Sequence, residues 1–547
     1  MVSKCVSWLL VGAALASGAE SRAPNDTLCR TLLNATIFNA TTITSVDLLS
    51  AGSNFTGTSV ETSYDTAQTN LPELCRVKFT TRTSSNSSAK AEVWLPSSWS
   101  GRFLAVGNGG FAGGINYPDV VWGVRKGFAT LSTNVGHDST QLDGTWMLNS
   151  PDRLIDFGYR ALHSTTVAAK DIVKGYYSAE AEWAYYAGCS TGGRQGLSAA
   201  QRYPQDYNGV LVGSAIASQT NTSGWQTYVA LNQFPNNHSS YIPASMWPTI
   251  HEAVLKQCDH LDGIQDGIIM DPSQCAFHAE VLLCEKSISN SSACLNADQV
   301  QNLERMYRPW LDASSNLINP GISPSGELSF ATLMNGDEPA FGPEFYRYAV
   351  FNASNWNWAE TNASTIAFAN NINPGGCNAY NPDMRPFQDA GGKLIQYHGY
   401  ADPLIPSLTA PAWYDTLKFF YSSIDKADEV AAFYRLFLVP GMGHCNGGVG
   451  GWVIDAASQG GVIPADYSRD HSMLWSLVDW VEGAGKSSNG SASKAPEMVI
   501  GTKFLNDTAS LGVDFERPIC RWPAVAEYKD GPVAEAASWT CPTERVY

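Results

Sequence analysis

Short apolar runs, each ending in a turn rich in glycine or asparagine, set the pattern of the first part of the chain. Residues 30–95 carry Thr, Ser and Val in short runs and predict β-structure. Phe103-Leu104-Ala105-Val106 predicts a buried strand that ends in Gly107-Asn108-Gly109-Gly110. Phe128-Ala129-Thr130-Leu131-Ser132 predicts another, ending at Asn134-Val135-Gly136-His137-Asp138. A helical stretch over 160–174 follows, then the apolar, aromatic run Trp183-Ala184-Tyr185-Tyr186-Ala187, and then Val210-Leu211-Val212. Strands alternating with helices predict an α/β architecture with a mostly parallel sheet. The alternation stops over 216–385, which holds four clustered cysteines, an Asp-rich loop and several Trp and Tyr residues; this segment is expected to be an inserted lid domain. Strand signals resume at Lys393-Leu394-Ile395-Gln396-Tyr397 and over 433–439. Met473, Leu474, Leu477, Val478 and Val481 mark an amphipathic helix closed by Gly483, and a loop-rich tail is expected beyond it. The pattern thus predicts a main α/β domain from 20–215 and 386–547, with the lid domain between them.

The candidate chemistry sits at the turns that end these strands. Gly188-Cys189-Ser190-Thr191-Gly192-Gly193 lies between the strand over 183–187 and a run, Arg194 to Ala200, that can begin a helix. Strand, tight glycine-flanked turn and helix is the context that makes G-x-S-x-G a nucleophile elbow; without it the pentapeptide is an ordinary turn. A serine hydroxyl needs a base to take its proton, and on this fold the partners follow in the order Ser, Asp or Glu, His. His398-Gly399-Tyr400-Ala401-Asp402-Pro403 follows one strand and Gly441-Met442-Gly443-His444-Cys445 follows the next. The expected constellation is Ser190 as nucleophile, His444 as general base and later acid, and Asp402 to fix its tautomer. His398 is the rival base, but it lies four residues before Asp402 and is read as structural; His137-Asp138 precedes the serine and is assigned a supporting role. An oxyanion hole requires backbone N–H groups, here expected from Thr191 and from Gly110 in the glycine-rich loop after the early strand, although Gly110 reads equally as a plain turn glycine. If Ser190 and His444 meet, Cys189 and Cys445 come close enough for a disulfide.

Composition places this chemistry outside the cytosol. The 547 residues carry 34 basic and 51 acidic side chains, a net charge of −17, and a pI near 4.9, which argues against nucleic acid or an anionic membrane as partner. Residues 1–19 read as a signal peptide: Lys4 gives the positive region, 6–16 the apolar stretch, and Ser17-Gly18-Ala19 the small-residue site. No later run is long enough to span a membrane. Asn25, Asn34, Asn39, Asn54, Asn86, Asn221, Asn237, Asn290, Asn352, Asn362, Asn489 and Asn506 stand in N-x-[ST] sequons, as in a secreted glycoprotein. Short-range spacing suggests the pairs Cys258–Cys275, Cys284–Cys294 and Cys520–Cys541, with Cys29–Cys75 tying down the N-terminal segment. Eleven cysteines remain once Cys5 leaves with the signal peptide, so one thiol is left over, and Cys377 is chosen. No C-x-x-C pair occurs, which speaks against zinc.

The Cys-Ser run at 188–194, the Asp402 loop and His444-Cys445 together resemble the Cys-Ser, Asp, His-Cys pattern of the tannase and feruloyl esterase family, over nearly the whole chain beyond the signal peptide. The resemblance implies an α/β-hydrolase core with a lid, a Cys189–Cys445 bridge, and hydrolysis of aromatic carboxylic esters through an acyl-enzyme. It also bears on the segment Cys258 to Ile268, whose carboxylates and turn carbonyls form a hard-oxygen set suited to Ca²⁺ but otherwise read as an acidic surface turn. Matched to the family, the ligands are Asp259, Asp262, the Ile264 carbonyl, Asp266 and the Ile268 carbonyl, holding a structural ion in the lid. The close-set elbow run and short lid look more like feruloyl esterases, which act on hydroxycinnamate esters of plant cell walls, than like tannases, which act on galloyl esters; tannase is the alternative. A non-catalytic carbohydrate-binding or adhesion glycoprotein on the same fold is the reading from another class. Trp225, Phe341, Phe345, Tyr346, Trp356 and Trp358 are candidate aromatic walls. The expected partners are a small aromatic ester or a cell-wall polysaccharide ester, with the chain a monomer or homodimer, and no organic cofactor.

Overall fold

The computed structural model describes residues 26–34, 40–284, 293–330, 334, 336, 338–483 and 495–542. The segment read as a signal peptide and the sequons at Asn25, Asn39, Asn290 and Asn489 lie outside them. Among the described residues, nine strands form one sheet. They are β1 (Thr41–Leu49), β2 (Leu74–Arg82), β3 (Ser88–Pro96), β4 (Arg102–Val106), β5 (Ala129–Thr133), β6 (Trp183–Cys189), β7 (Gly209–Gly213), β8 (Lys393–Gly399) and β9 (Tyr434–Val439). Their order is β1-β2-β3-β5-β4-β6-β7-β8-β9. The first three are antiparallel to their neighbours. From β5 to β9 every pairing is parallel.

Both faces of the parallel part are covered, so its strands are apolar throughout rather than alternating. Phe103 and Ala105 of β4 join one core with α2 (Ala161–Tyr177), α3 (Thr191–Arg202) and α4 (Thr409–Ser422). Leu104 and Val106 join the opposite core with α1 (Tyr117–Arg125) and α5 (Met473–Gly483). This is the α/β-hydrolase arrangement, with the loops at the C-terminal ends of β4, β6, β8 and β9 on one edge of the sheet.

Between β7 and β8 no described residue joins that sheet. The segment is built from helices, including Gln219–Ala230, Trp247–Cys258, Ala297–Tyr307 and Ala363–Ile372, and has its own apolar core around Trp225, Trp247, Leu303 and Phe330. The tail beyond α5 differs from the expected loops: β10 (Met498–Phe504) and β11 (Val513–Cys520) form an antiparallel pair. Five disulfides are present among the described residues: Cys29–Cys75, Cys189–Cys445, Cys258–Cys275, Cys284–Cys294 and Cys520–Cys541. Cys377 is free and buried. No helix among the described residues is long and apolar enough to cross a membrane.

Candidate active site

Ser190 stands between β6 and α3 with φ 63° and ψ −123°, a conformation an L-residue adopts only where its surroundings impose it. Its N–H donates to the Gly213 carbonyl at the end of β7, 2.9 Å away. The flanking glycines are required by close approach: a Cβ at Gly188 would lie 2.8 Å from the Gly192 backbone, and one at Gly193 would lie 2.6 Å from the Gly213 carbonyl oxygen. Ser190 itself is half-buried, while Thr191 is buried.

The loops after β8 and β9 are packed onto each other. The Ala401 N–H donates to the Met442 carbonyl (2.9 Å), and a Cβ at Gly399 would lie 2.3 Å from that same oxygen. This brings His444 Nδ1 to 2.8 Å from Asp402 Oδ2. The other carboxylate oxygen, Oδ1, accepts from the Leu404 and Ile405 N–H groups at 2.9 and 3.0 Å. Burial opposes ionisation of Asp402, but its contacts with the His444 and His398 rings outweigh it and hold the carboxyl far below the ordinary carboxylate range. Asp402 is fully buried, whereas the His444 side chain keeps 17% of its exposure. The disulfide between Cys189 and Cys445, with Cα atoms 5.9 Å apart, joins the residue before Ser190 to the residue after His444.

The loop after β4 lies against the elbow. Thr191 Oγ1 donates to the Gly110 carbonyl at 2.8 Å. The N–H groups of Gly110 and Thr191 have no acceptor among the described residues. An amide lock holds this loop. The Asn108 N–H donates to Gln195 Oε1 (3.1 Å), Gln195 Nε2 donates to Asn108 Oδ1 (3.2 Å), and Asn108 Nδ2 donates to the Gly114 and Thr133 carbonyls. Sequence reading did not single out Gln195; its place one helical turn after Thr191 in the elbow run was the available signal. His137 Nε2 and Ser139 Oγ both donate to the Phe111 carbonyl, at 2.8 and 2.7 Å, so His137 bears on the oxyanion loop rather than on the serine. Asp138 pairs with Lys90 instead.

A cavity of about 250 Å³ is lined by Leu142, Trp225, Val229, Met334, Phe341 and Pro403 among others; Pro403 follows Asp402 in the chain, and Ser190, His444 and Gly110 are not among the lining residues. Phe341 packs edge-on against Phe111 with ring centroids 5.8 Å apart. The cavity's polar side chains are Gln226, whose Nε2 donates to the Leu404 carbonyl, and Glu338, which pairs with Arg347 through one carboxylate oxygen. Of the six candidate wall residues, only Trp225 and Phe341 line this cavity. Phe345, Tyr346 and Trp356 pack into the cluster around Trp146 and Phe157, and Trp358 packs on Phe234, because large rings fill a core as readily as they line a cleft.

The three aspartates of the acidic loop turn inward onto its own backbone. Asp262 Oδ1 accepts from the Ile264 N–H, Asp259 Oδ1 from Gly267 and Asp266 Oδ1 from Ile268, at 3.0, 3.0 and 3.1 Å. Arg517 of β11 donates to Asp266 Oδ2 at 2.9 Å. Burial, with repulsion from neighbouring loop aspartates, raises Asp259 and Asp262 from the ordinary carboxylate value. Among the described residues no three His, Cys, Asp or Glu side chains converge as a cage. The donor set is oxygen only, as calcium takes, and a calcium ion would draw on the Ile264 and Ile268 carbonyls as well.

The sheet, the strand–turn–helix at Ser190 and the His444–Asp402 pair at the ends of neighbouring strands define the class: a protein of the α/β-hydrolase fold. Comparison with known proteins narrows it. Residues 75–542 match the family described as tannase and feruloyl esterase. Feruloyl esterase B of Aspergillus niger is 34% identical over 543 residues, 99% of each chain. The probable feruloyl esterase B-2 of Aspergillus terreus is 34% identical over 485 residues, 87% of each. The crystal structure of feruloyl esterase B from Aspergillus oryzae superposes with a TM-score of 0.86 at 31% identity, covering 94% of this chain and 99% of that one. The tannin acyl hydrolase of Aspergillus niger shares the fold at 19% identity, with a TM-score of 0.70 over 95% of each chain. The chain belongs to the tannase and feruloyl esterase family and is a carboxylic ester hydrolase.

Proposed function

We propose that the protein is a secreted serine esterase that hydrolyses hydroxycinnamoyl, feruloyl-type esters of plant cell-wall material. Ser190 Oγ attacks the ester carbonyl while His444 takes its proton and then delivers it to the leaving alcohol; water, activated by the same imidazole, hydrolyses the acyl-enzyme. Asp402 fixes the His444 tautomer, and the Gly110 and Thr191 N–H groups receive the oxyanion. Segment 216–385 acts as the lid that walls the acyl group. The five disulfides and the exposed sequon asparagines 54, 86, 237, 352, 362 and 506 support secretion. A structural Ca²⁺ on the loop from Asp259 to Ile268 would tie the lid to the tail through Asp266 and Arg517 and take no part in the chemistry.

The cavity lining carries the substrate reading. A galloyl ring brings three hydroxyls that need partners, and a lining that is mostly Leu142, Trp225, Val229, Met334 and Phe341, with Gln226 and Glu338 as its polar side chains, offers few of them. A feruloyl group presents one hydroxyl and an apolar methoxy and vinyl surface, which this lining suits. Initial rates on methyl ferulate, methyl caffeate, methyl p-coumarate and methyl gallate, with Ser190→Ala as control, test both halves. Hydroxycinnamates turned over faster than gallate, with Ser190→Ala inactive, is the expected result. Gallate preference moves the assignment to tannase, and turnover by Ser190→Ala overturns the mechanism.

A further inference from the structure

The Asp402 carboxylate is approached by a second imidazole that the mechanism above does not use. His398, near the end of β8, has Nε2 2.9 Å from the Ile405 carbonyl oxygen and 3.2 Å from Asp402 Oδ2, the same oxygen that holds His444 Nδ1. Its side chain is wholly buried. Its Nδ1 is buried with no hydrogen-bond partner. A carbonyl can only accept, so Nε2 carries the hydrogen, and a proton on Nδ1 would have nothing to bond. The ring cannot reach solvent, which removes it as a rival base and leaves it a different task.

We propose that His398 is a positioning residue for the general base: its Nε2–H donates to the Ile405 carbonyl while the same nitrogen lies 3.2 Å from Asp402 Oδ2, and the ring so fixes the direction of the oxygen that holds His444. This rests on the assignment of Ser190, Asp402 and His444 made above. The loop after β8 reverses tightly, with the Asp402 N–H on the Gly399 carbonyl at 3.2 Å, so Ile405 and Asp402 lie over the ring that precedes the turn. One carboxylate oxygen is then pinned by two loop N–H groups, and the other accepts from His444 Nδ1 with the His398 ring beside it. The Nε2–H dipole beside Oδ2 offsets part of the carboxylate charge; with the ring gone, the carboxylate would hold the His444 imidazolium more strongly. The titratable groups facing Asp402 are these two imidazoles. From the inserted segment, Ser323 meets Ser407, while Glu327 is taken up by His251 and Tyr307; Asp271 faces Tyr400.

The test compares His398→Ala, His398→Gln and His398→Asn on methyl ferulate across pH, with thermal unfolding to establish folding. Gln carries an N–H where Nε2 sits; Asn is too short to reach Ile405. Expected for Ala is a fall in kcat of about 10- to 100-fold with KM within about twofold, and an acid limb of kcat/KM moved to higher pH; Gln recovers most of the rate and the wild-type limb. A folded Ala variant with wild-type kcat and an unmoved limb overturns the proposal, as does Gln losing as much as Ala. Should Ala fail to fold, Gln near wild type with Asn displaced supports the proposal, and equal behaviour of the two overturns it. Turnover by Ser190→Ala would instead sink the underlying assignment, whatever the His398 variants do.

Discussion

The disulfide beside the elbow gives the most demanding prediction. Cys189→Ala/Cys445→Ala removes the bridge without leaving a free thiol at either end. The bridge closes a loop with a sequence separation of 256. In the loop-closure treatment a ring of that size removes about 5 kcal/mol of conformational freedom from the unfolded chain. A chain this long unfolds with an entropy of about 1 kcal/mol/K, so the loss corresponds to a fall in Tm of about 5 °C. The effect on rate has a different origin. Ser190 has φ 63° and Cys445 φ 66°, both left-handed, and the bridge holds these two strained residues against each other. The His444 loop keeps other anchors, including Gly443 N–H to the Gly447 carbonyl and Asn446 Nδ2 to the Ser458 carbonyl, so it shifts rather than unravels. A displacement well under 1 Å between base and nucleophile costs about 10- to 100-fold in kcat. The assay is steady-state hydrolysis of methyl ferulate alongside differential scanning calorimetry of wild type and the double variant. A folded variant with unchanged kcat/KM would refute the claim that the bridge sets the serine–histidine geometry. An unchanged Tm would refute the loop-closure argument even if the rate fell.

Three further results are expected. Asn108→Ala breaks the amide lock with Gln195 and loosens the loop that offers the Gly110 N–H; kcat for methyl ferulate should fall about 100-fold with little change in KM, read by steady-state kinetics. Burial pushes His137 down to about 4 and Asp119 up to about 6, so between these pH values the unfolded chain binds the extra proton at His137 and the folded chain binds it at Asp119. His137 alone makes stability rise with pH and Asp119 alone makes it fall, each by about 3 kcal/mol across its window; wild-type stability from urea titrations at pH 4 to 6 should therefore be nearly flat, that of His137→Gln should decline with pH, and that of Asp119→Asn should rise. Chelation by EGTA should lower Tm, with recovery on adding Ca²⁺ and not Mg²⁺, while kcat of the folded protein at lower temperature is unchanged; no shift in Tm would remove calcium from the loop.

What was legible in the sequence follows from where the information is local. The elbow needs strand, small residues and helix within a dozen positions, and all are contiguous around Ser190. The loops bearing Asp402 and His444 each follow an apolar run of strand length, so their places at the sheet edge could be read. The tail hairpin could not. β11 carries Asp514, Glu516, Arg517 and Pro518 among its eight residues, and eight residues separate it from β10, so neither strand pattern nor tight-turn signal marks the pair. Aromatic walls were equally hidden, since Trp225 in the cavity and Tyr346 in a core have the same local signature. The spacing of His398 and Asp402 was visible, but which way the intervening turn folds was not. The reversal over Gly399 puts the His398 ring beside the carboxylate.

That reversal also explains why the inserted segment and the triad are not separate parts. Gln226 Nε2 donates to the Leu404 carbonyl, Ser323 Oγ meets Ser407 Oγ at 2.7 Å, and a Cβ at Gly326 would lie 3.0 Å from the Ala401 carbonyl oxygen. All three contacts fall on the loop that carries Asp402, and Pro403 of that loop is itself a wall of the cavity. A lid hinged away from the core would have to break these contacts and would take the support of the acid residue with it. The segment is therefore better described as a fixed roof, in which Gln226 both lines the cavity and holds the loop that carries Asp402. It follows that substitutions reshaping the cavity at Gln226 or Pro403 change kcat together with KM in steady-state hydrolysis of methyl ferulate.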